Sequence, residues 1–392
     1  MDVETLKALR TPYGQGLLAT TVEAHGQDDV LAVSRRLRRD YPPDLVAAAL
    51  TQADLRRRAR EKFDPVDAER MYFTVDGLEQ ATRSSVARHR AHRFATLGGP
   101  VLDLCCGIGG DLIALARAGL NVTGVDDNPL TAAVAAANAD VLGLDASVHC
   151  ADATAADRTP FAAVMCDPAR RTALGRVFHP DAYKPPWSFI EELLTGAACV
   201  KVAPGIPHSR IPAGVEAEWV SDGGEVKEAA LWSGDLTGTA VRRATLLPSG
   251  HTVTDTDAPP DPPVGLPGRW LVEPDGAVIR AGLVSAVAAE ISGRLLDPKI
   301  AYVACDQEPS TPLGRLYEIV DRLAYDRKRL RRYVRDNHIG TLTIKKRGVD
   351  VDPAKLRREL KPAGHAEATL IITRVSDRAT VLVARAVPAV GR

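Results

Sequence analysis

Residues 101–111 read VLDLCCGIGGD, a short apolar segment that runs into a loop containing three glycines. Helix-forming residues follow at once in 112–116, so the stretch predicts a strand, a tight turn and a helix in succession. Such a turn brings backbone N–H groups and a helix N-terminus close to a ligand. Asp103 and Asp111 flank the loop, which contains no Lys or Arg. These acidic surroundings disfavour a pyrophosphate and favour a ligand that carries positive charge.

The segment after the loop alternates between apolar runs and helical stretches. Five short runs rich in Val and Ala occur, namely VLDLC, NVTGVD, SVHCAD, AAVMCD and AACVKVA. Helical patterns separate them at 111–119, 129–142 and about 187–195. This alternation predicts an α/β fold of the Rossmann-like kind, with a doubly wound, mostly parallel sheet and helices on both faces.

Changes of pattern along the chain predict its domain organisation. Apolar residues at helical spacing precede the sheet, with a third helical pattern at about 64–95, and a segment dense in Pro and Asp follows the sheet. Beyond that segment, helical patterns near 280–296, 312–336 and 353–361 accompany strand-like runs. We expect a helical N-terminal domain (1–95), an α/β domain (96–254), a Pro-rich linker (255–268) and an α+β module (269–392).

Composition narrows the class of protein. The chain has 392 residues, with 50 Lys+Arg balanced by 50 Asp+Glu, so any binding to nucleic acid or membrane has to come from local patches. The six cysteines form no C-x-x-C pair and lie near no His pair at zinc spacing, so we expect free thiols and no metal site. There is no apolar signal core and no run of 18 apolar residues. We expect a cytoplasmic protein that does not span a membrane, and the oligomeric state stays open.

Carboxylates stand at the ends of the next two predicted strands. Asp126 and Asp127 follow the second strand, about 20 residues past the loop, where an acidic group can bind ribose hydroxyls. Asp152 ends the third strand, where it can meet the exocyclic amine of an adenine. Each carboxylate taken alone could simply cap a turn or a helix. The loop has no cation that could bind a phosphate. Together with this loop, the carboxylates favour S-adenosylmethionine over NAD as the ligand.

VLDLCCGIGGDLIALARAG followed by VTGVDDNPLTAAVAAANADVLGL resembles the first two motifs of class I S-adenosylmethionine-dependent methyltransferases. The stretch is most similar to the trimethylguanosine synthase-like RNA methyltransferases, and the upstream TRSSVARHRAHRF resembles the helix that precedes the glycine loop in that family. The resemblance implies that Asp103 and Gly107 hold the methionine end, Asp126 the ribose and Asp152 the adenine. We expect the cofactor site to comprise Asp103, Cys105, Gly107, Gly109, Gly110, Asp126, Asp127, Asp152 and Ala153, with Gln80 and Thr82 at its mouth.

The C-terminal module carries a second resemblance. KKRGVDVDP and LRREL are similar to the THUMP-like domain of a bacterial group that joins it to this catalytic domain. Residues 311–361 hold 15 Lys and Arg against 7 Asp and Glu, a local net charge of +8. Lys345, Lys346 and Arg347 stand at a strand end before a Gly turn, where they could bind RNA phosphates. A charge run can also be a solvated helix face, although three cations at a strand end before a Gly turn fit that alternative less well.

The fourth strand, FAAVMCDPARRT, predicts the place of methyl transfer. Similar N-methyltransferases carry D/N/S-P-P followed by an aromatic residue, so the resemblance assigns the acceptor corner to Asp167 and Pro168. Ala169 replaces the second Pro, and Arg170 stands where the aromatic residue would stack on the base. Arg170 could stack or bind a phosphate, and Arg171 could form a solvated pair with it. The stacking residue could otherwise be Phe178, Tyr183 or Trp187.

Two chemistries and three functions remain open at this point. Methyl transfer to a nitrogen needs positioning rather than a strong base, whereas methylation of pyrimidine C5 would need a thiol nucleophile such as Cys166. Cys166 precedes Asp167 inside the strand, so it would face away from the pocket. The leading hypothesis is a methyltransferase acting on a base nitrogen of RNA, either tRNA or rRNA. The alternatives are a methyltransferase for a small molecule or protein, and a non-catalytic RNA-binding protein.

Overall fold

The computed structural model describes residues 1–24, 30–170, 183–260 and 262–388, with only the backbone at Arg170. These residues form two compact units. The first contains residues 1–215 and 230–237, and the second contains 216–229 and the chain from 238 onward. Within the described ranges, none of the helices combines the length and apolar character that crossing a membrane requires.

The first unit begins with helices. Their bounds are α1 Val3–Arg10, α2 Pro12–Ala24, α3 Val30–Leu37, α4 Pro43–Ala59, α5 Pro65–Arg70, α6 Val75–Gln80 and α7 Ser84–Leu97. The single helical pattern expected over 64–95 is therefore wrong, since three helices cover it. The break at 71–74 has a tertiary cause, because buried Gln52 pairs with the backbone of Phe73 on both sides, accepting from its N–H at 3.0 Å and donating to its C=O at 2.7 Å. A side chain thus takes the hydrogen bonds that a continuous helix would use.

A parallel sheet follows the helices. Its elements are β1 Val101–Leu104, α8 Gly110–Arg117, β2 Val122–Asp126, α9 Pro129–Val141, β3 Ala146–Cys150, β4 Ala163–Cys166, β5 Ala169–Arg170, β6 Tyr183–Lys184, α10 Trp187–Leu193 and β7 Ala198–Val202. In this unit the strands run β7-β4-β1-β2-β3 and every neighbouring pair is parallel. The predicted doubly wound α/β fold is confirmed. The strand order reverses between β1 and β4, and ligands bind beside the carboxyl ends of strands at such a point.

Further strands come next along the chain. They are β8 Glu216–Asp222, β9 Glu225–Ser233, β10 Arg242–Leu247 and β11 His251–Thr254. Within the second unit, β10 pairs in parallel with β8 and antiparallel with β11. The residues of β9 are divided between the two units at 229–230. The strand-like runs AEWVSD, EAALWSG and AVRRATLLP of the sequence overlap β8, β9 and β10, whereas no such run predicts β11.

The second unit continues as an α+β module. Its elements are β12 Trp270–Pro274, α11 Gly276–Arg280, α12 Val284–Glu290, β13 Arg294–Asp297, β14 Ile300–Cys305, β15 Gly314–Ala324, α13 Arg327–Asp336, β16 Ile339–Lys346, α14 Pro353–Leu360, β17 Ala366–Val375 and β18 Arg378–Ala386. The strands form one sheet in the order β13-β14-β12-β15-β18-β17-β16. Leu330 and Val334 of α13 share a buried cluster with Leu356 and Leu360 of α14, so both helices cover the same face of that sheet.

One expectation about the secondary structure of this module differs from the structure. The helix expected over 312–336 is wrong in its first half, because β15 occupies 314–324 and pairs with both β12 and β18. Its sequence, GRLYEIVDRLA, is rich in β-branched and aromatic residues, and pairing on two sides outweighs the helical spacing. The Pro-rich stretch 255–268 lies inside the second unit, where Val264 forms an isolated bridge with Leu295.

Candidate functional site

The glycine loop after β1 is built from residues with left-handed backbone conformations. Cys105, Gly107 and Gly109 have φ of +58°, +57° and +92°, and Gly109 is the N-cap of α8. A Cβ at Gly107 would meet no atom within 4 Å, so this backbone faces open space. Residues with Cβ atoms rarely adopt such conformations, which explains two glycines at these positions. The loop therefore exposes its backbone to a ligand at the carboxyl edge of β1.

Asp103 is the most unusual side chain of this site. It is 1% exposed, and neither carboxylate oxygen has a hydrogen-bond partner among the described residues. Burial, followed by the charges of Asp111 and Asp167, raises the pKa of Asp103 well above its ordinary value. A buried carboxylate without partners is costly, and such groups are normally paired in native proteins. The geometry therefore suits a ligand that brings a cationic hydrogen-bond donor to Asp103.

Asp126 organises the loop from the end of β2. Its two oxygens accept the N–H of Gly107 at 3.1 Å and the N–H of Asn128 at 3.0 Å. Burial raises the pKa of the Asp126 carboxyl, while these two backbone donors act in the opposite direction. The side chain is half-buried, so part of it remains available for a ligand at the loop.

Asn138 fixes the loop from behind. It is fully buried in α9 and donates to the C=O of Ile108 at 2.9 Å and to the C=O of Tyr72 at 3.1 Å. Its Oδ1 accepts the N–H of Tyr72 at 2.7 Å. Asn138 was not among the site residues expected from the sequence. One feature of the sequence could have indicated its role, namely a single amide within the apolar run AAANADV. A buried amide needs hydrogen-bond partners, so such a residue is expected to bind nearby polar groups.

Other expected cofactor residues make local contacts. Asp127 forms an ion pair with Lys184. Asp152 is exposed and accepts the N–H and the hydroxyl of Thr154, both at 2.8 Å, and these bonds lower its pKa. Ala153 is buried in the following turn, and Gln80 is exposed at the end of α6.

A polar network joins the region before α7 to the carboxyl ends of β4 and β7. Buried Asp111 forms an ion pair with Arg90 and accepts a hydrogen bond from Thr82 at 2.9 Å. Lys201, on β7, donates to Thr82 at 3.0 Å and to Asp167 at 2.5 Å. Sequence reasoning identified Thr82 and Asp167 and missed Arg90 and Lys201. Lys201 lies in the apolar run AACVKVA, where a lone cation was the only signal.

The predicted acceptor corner is partly described. Asp167 is half-buried and Pro168 is buried, while Ala169 is exposed in β5 and pairs with Lys184 of β6. The backbone of Arg170 lies opposite Tyr183. Arg171 and Phe178 lie outside the described residues.

The aromatic candidates of this corner differ in accessibility. The hydroxyl of half-buried Tyr183 accepts the N–H of Ala203 at 3.0 Å. Its ring lies 5.9 Å from that of Trp187, centroid to centroid. Trp187 is 7% exposed and donates to Glu191 at 2.9 Å, so its indole is largely occupied by the protein itself.

Cys166 has the environment of a structural thiol. It is fully buried, and its hydrogen bond with Cys105, together with burial, raises its pKa well above the ordinary value. A nucleophilic cysteine needs the opposite, because the thiolate is the reactive form. These observations disfavour the C5 mechanism.

The cations expected to bind RNA occupy different surroundings. Lys345 donates to Glu273 at 2.5 Å, and Arg347 lies 3.8 Å from the same carboxylate, so both are engaged within the second unit. Lys346 is exposed. Helix α13 carries a denser set of exposed cations, namely Arg327, Lys328, Arg329, Arg331, Arg332 and Arg335. Among the residues that the structure describes, no group of three His, Cys, Asp or Glu side chains is placed to hold a metal ion.

Comparisons with known proteins identify families for three segments of the chain and a solved structure with the same fold. Residues 101–177 match a methyltransferase domain, residues 314–386 match a THUMP domain-like family, and residues 2–59 match a domain of unknown function. A crystal structure from Porphyromonas gingivalis W83, assigned as a methyltransferase, superposes with a TM-score of 0.77 at 24% identity. The superposition covers 95% of this chain and 99% of the Porphyromonas gingivalis chain, so the two proteins share a fold.

A curated relative extends the similarity to sequence. It is an uncharacterized S-adenosylmethionine-dependent methyltransferase of Mycobacterium tuberculosis, found with the same values in strains CDC 1551 / Oshkosh and ATCC 25618 / H37Rv. Identity is 39% over 345 residues, covering 86% of this chain and 94% of the relative. The resemblance to methyltransferases and to a THUMP-like domain is thus confirmed. The chain belongs to the family of S-adenosylmethionine-dependent methyltransferases.

Proposed function

We propose that this enzyme transfers a methyl group from S-adenosylmethionine to a nitrogen of a base in RNA, either tRNA or rRNA. The observation that carries the proposal is Asp103, a buried carboxylate without partners among the described residues, beside a glycine loop at the switch point of a parallel sheet. Asp167 follows the neighbouring strand β4 and thus lies at the same edge of the sheet. One carboxylate suits the cofactor and the other suits the methyl acceptor.

The residues present fit the cofactor. The amino group of its methionine part is a cationic donor of the kind that would satisfy Asp103, and the exposed backbone of the loop at Gly107 leaves room for the chain. Asp126 would accept from the ribose hydroxyls while it holds the N–H of Gly107. Asp152 would bind the adenine at some cost, because Thr154 already occupies one of its oxygens.

The acceptor corner would position a nitrogen. When bound, the cofactor supplies an electrophilic methyl on a sulfonium, so a nitrogen–carbon bond forms as the carbon–sulfur bond breaks, and the nitrogen then loses a proton. Asp167 would accept a hydrogen bond from the target amine and orient its lone pair. Such orientation can account for about 7–11 kcal/mol of a barrier without a strong base. Tyr183 is the aromatic side chain of the described corner with partial exposure, and it is our candidate for contact with the base.

A basic helix face supports RNA as the substrate. Leu330 and Val334 bury one side of α13, and six cations elsewhere on this short helix are exposed. Arg327 pairs with Glu359 at 3.2 Å and Arg335 with Asp336 at 2.8 Å. The cations between them, Lys328, Arg329, Arg331 and Arg332, are exposed. Cations arranged in this way bind phosphates with a strong dependence on salt concentration.

The decisive experiment is mass spectrometry of modified nucleosides in RNA from cells with and without the gene. A methylated nucleoside that disappears without the gene, and is restored by purified enzyme and S-adenosylmethionine, would identify the base and the atom. Unchanged RNA, with methyl transfer to small molecules or protein instead, would refute the proposal. Cofactor binding without any transfer would favour a non-catalytic RNA-binding protein.

The RNA surface can be tested separately by gel shift. A triple Lys328→Gln, Arg331→Gln, Arg332→Gln variant should weaken RNA binding and flatten its salt dependence. On single-stranded RNA, the log–log slope should change by about 0.7 for each phosphate that the variant no longer neutralises. A Lys345→Gln, Arg347→Gln variant is the matched comparison. We expect it to weaken RNA binding less, because Glu273 already holds both cations.

A further inference from the structure

Lys201 stands beside the acceptor corner, although the sequence pattern gave it no role. It lies on β7, which pairs in parallel with β4, and the register places Cys166 beside Val200. The next residues along the chain are Asp167, directly after the end of β4, and Lys201 on β7, so the two side chains lie together at the carboxyl edge of the sheet. The Lys201 ammonium donates to Oδ2 of Asp167 at 2.5 Å, and its side chain is 13% exposed.

We propose that Lys201 is a positioning residue for methyl transfer, which holds Oδ2 of Asp167 so that Oδ1 is presented to the methyl acceptor. The inference rests on the function proposed above. The terminal torsion of an Asp side chain is broad, so a carboxylate without a fixed partner samples many orientations. A charge-assisted hydrogen bond to a largely buried ammonium restricts that torsion. The acceptor nitrogen would then meet one oxygen in a defined direction.

Thr82 anchors the other side of Lys201. The ammonium donates to Thr82 Oγ1 at 3.0 Å, and this hydroxyl in turn donates to Asp111 at 2.9 Å. Asp111 is held independently by its ion pair with Arg90. Asp111, in the first turn of α8, therefore keeps Arg90 as its partner when Lys201 is replaced. We infer that Lys201 acts on the acceptor side and leaves the cofactor loop largely intact.

A double-mutant cycle tests this role. We would prepare Lys201→Met, Lys201→Arg, Asp167→Asn and the double variant Lys201→Met with Asp167→Asn. Lys7→Met is the matched control, because Lys7 is an exposed lysine on α1. S-adenosylmethionine binding is measured by calorimetry. Transfer of tritiated methyl to RNA from a strain lacking the gene gives kcat, and KM for that RNA.

The expected pattern separates positioning from a structural role. Lys201→Met should bind S-adenosylmethionine within about twofold of wild type and lose about 10- to 100-fold in kcat, the range expected for a misplaced reacting group. Lys201→Arg should recover part of the loss. The double variant should be no slower than Asp167→Asn alone, because the two residues act through one interaction.

Three results would overturn the inference: full activity of Lys201→Met, a large loss of cofactor affinity in that variant, or losses that multiply in the double variant. No transfer to RNA by the wild type would overturn the proposed function and this inference together. Transfer by the wild type and by Lys201→Met at equal rates would overturn the inference alone.

Discussion

Replacing Asp103 by Asn should have opposite effects on cofactor binding and on stability. The substitution keeps the shape of the side chain and removes its charge. In the wild type, both oxygens of this 1% exposed carboxylate lack hydrogen-bond partners among the described residues, so no hydrogen bond there compensates the burial of its charge. The cofactor's ammonium would gain a charge-assisted hydrogen bond worth about 1.5–3 kcal/mol. Since about 1.4 kcal/mol corresponds to a tenfold change, Asp103→Asn should weaken S-adenosylmethionine binding by about 10- to 100-fold.

The effect on stability follows from the raised pKa of Asp103. Between the unfolded pKa of about 3.9 and the higher folded pKa, the folded protein retains a proton that the unfolded chain has lost. The wild type's free energy of unfolding therefore falls as pH rises through this window. The fall is about 1.4 kcal/mol for each pH unit between the unfolded and the folded pKa of Asp103. The amide introduced by Asp103→Asn does not titrate, so the variant's advantage should grow with pH and level off above the folded pKa of Asp103.

Urea denaturation across pH and calorimetry with S-adenosylmethionine measure the two effects. Calorimetry in buffers of different ionisation enthalpy should also show proton release when the wild type binds, and none for Asp103→Asn. The control is Asp64→Asn, at the exposed N-cap of α5, where Asn caps equally well and neither quantity should change. The reasoning is refuted if Asp103→Asn binds the cofactor as tightly as wild type, or if it is less stable at every pH.

Three further substitutions test other parts of the site. Asn138→Leu leaves the N–H and C=O of Tyr72 and the C=O of Ile108 without partners, so the free energy of unfolding should fall by about 3–6 kcal/mol in urea denaturation. Asp152→Ala removes the cap of a turn and should lower stability slightly while weakening cofactor binding in calorimetry; unchanged binding would exclude Asp152 from the adenine site. Cys166→Ala should retain methyl transfer to RNA, whereas complete loss in a folded variant would restore the C5 mechanism.

The sheet and its glycine loop could be predicted because local patterns determine them. Apolar runs of strand length, separated by helical stretches, suffice to indicate a parallel sheet, and the strand order then places the loop and Asp167 at one edge. The break at Tyr72 and Phe73 could not be predicted in this way. Its causes are Gln52, which pairs with the backbone of Phe73, and Asn138, which pairs with the backbone of Tyr72, and nothing in the local spacing marks these partners.

The same distinction applies to the site residues. The sequence indicates where a strand-end carboxylate lies, yet its partners decide its role. Asp103 and Asp152 look alike in the sequence, but one is buried without partners among the described residues and the other is exposed and satisfied by Thr154. Lys345 and Arg347 likewise resemble a phosphate clamp until Glu273, more than 70 positions earlier, is seen between them.

Asp103 and Asp167 show how one sheet edge can treat two carboxylates differently. Asp103 has no partner in the described part of the chain, so its charge is available to a cationic ligand and is costly without one. Asp167 is bound by Lys201, so its charge is already compensated and its orientation is what remains useful. A cofactor that carries a cation needs a carboxylate without a partner, such as Asp103. A neutral amine needs only a direction for its lone pair, which a carboxylate held in place, such as Asp167, can provide. Within the described ranges, Lys201 donates a hydrogen bond to Asp167 and not to Asp103. This pairing favours an arrangement in which the cofactor binds at the end of β1 and the methyl acceptor binds at the end of the neighbouring strand β4.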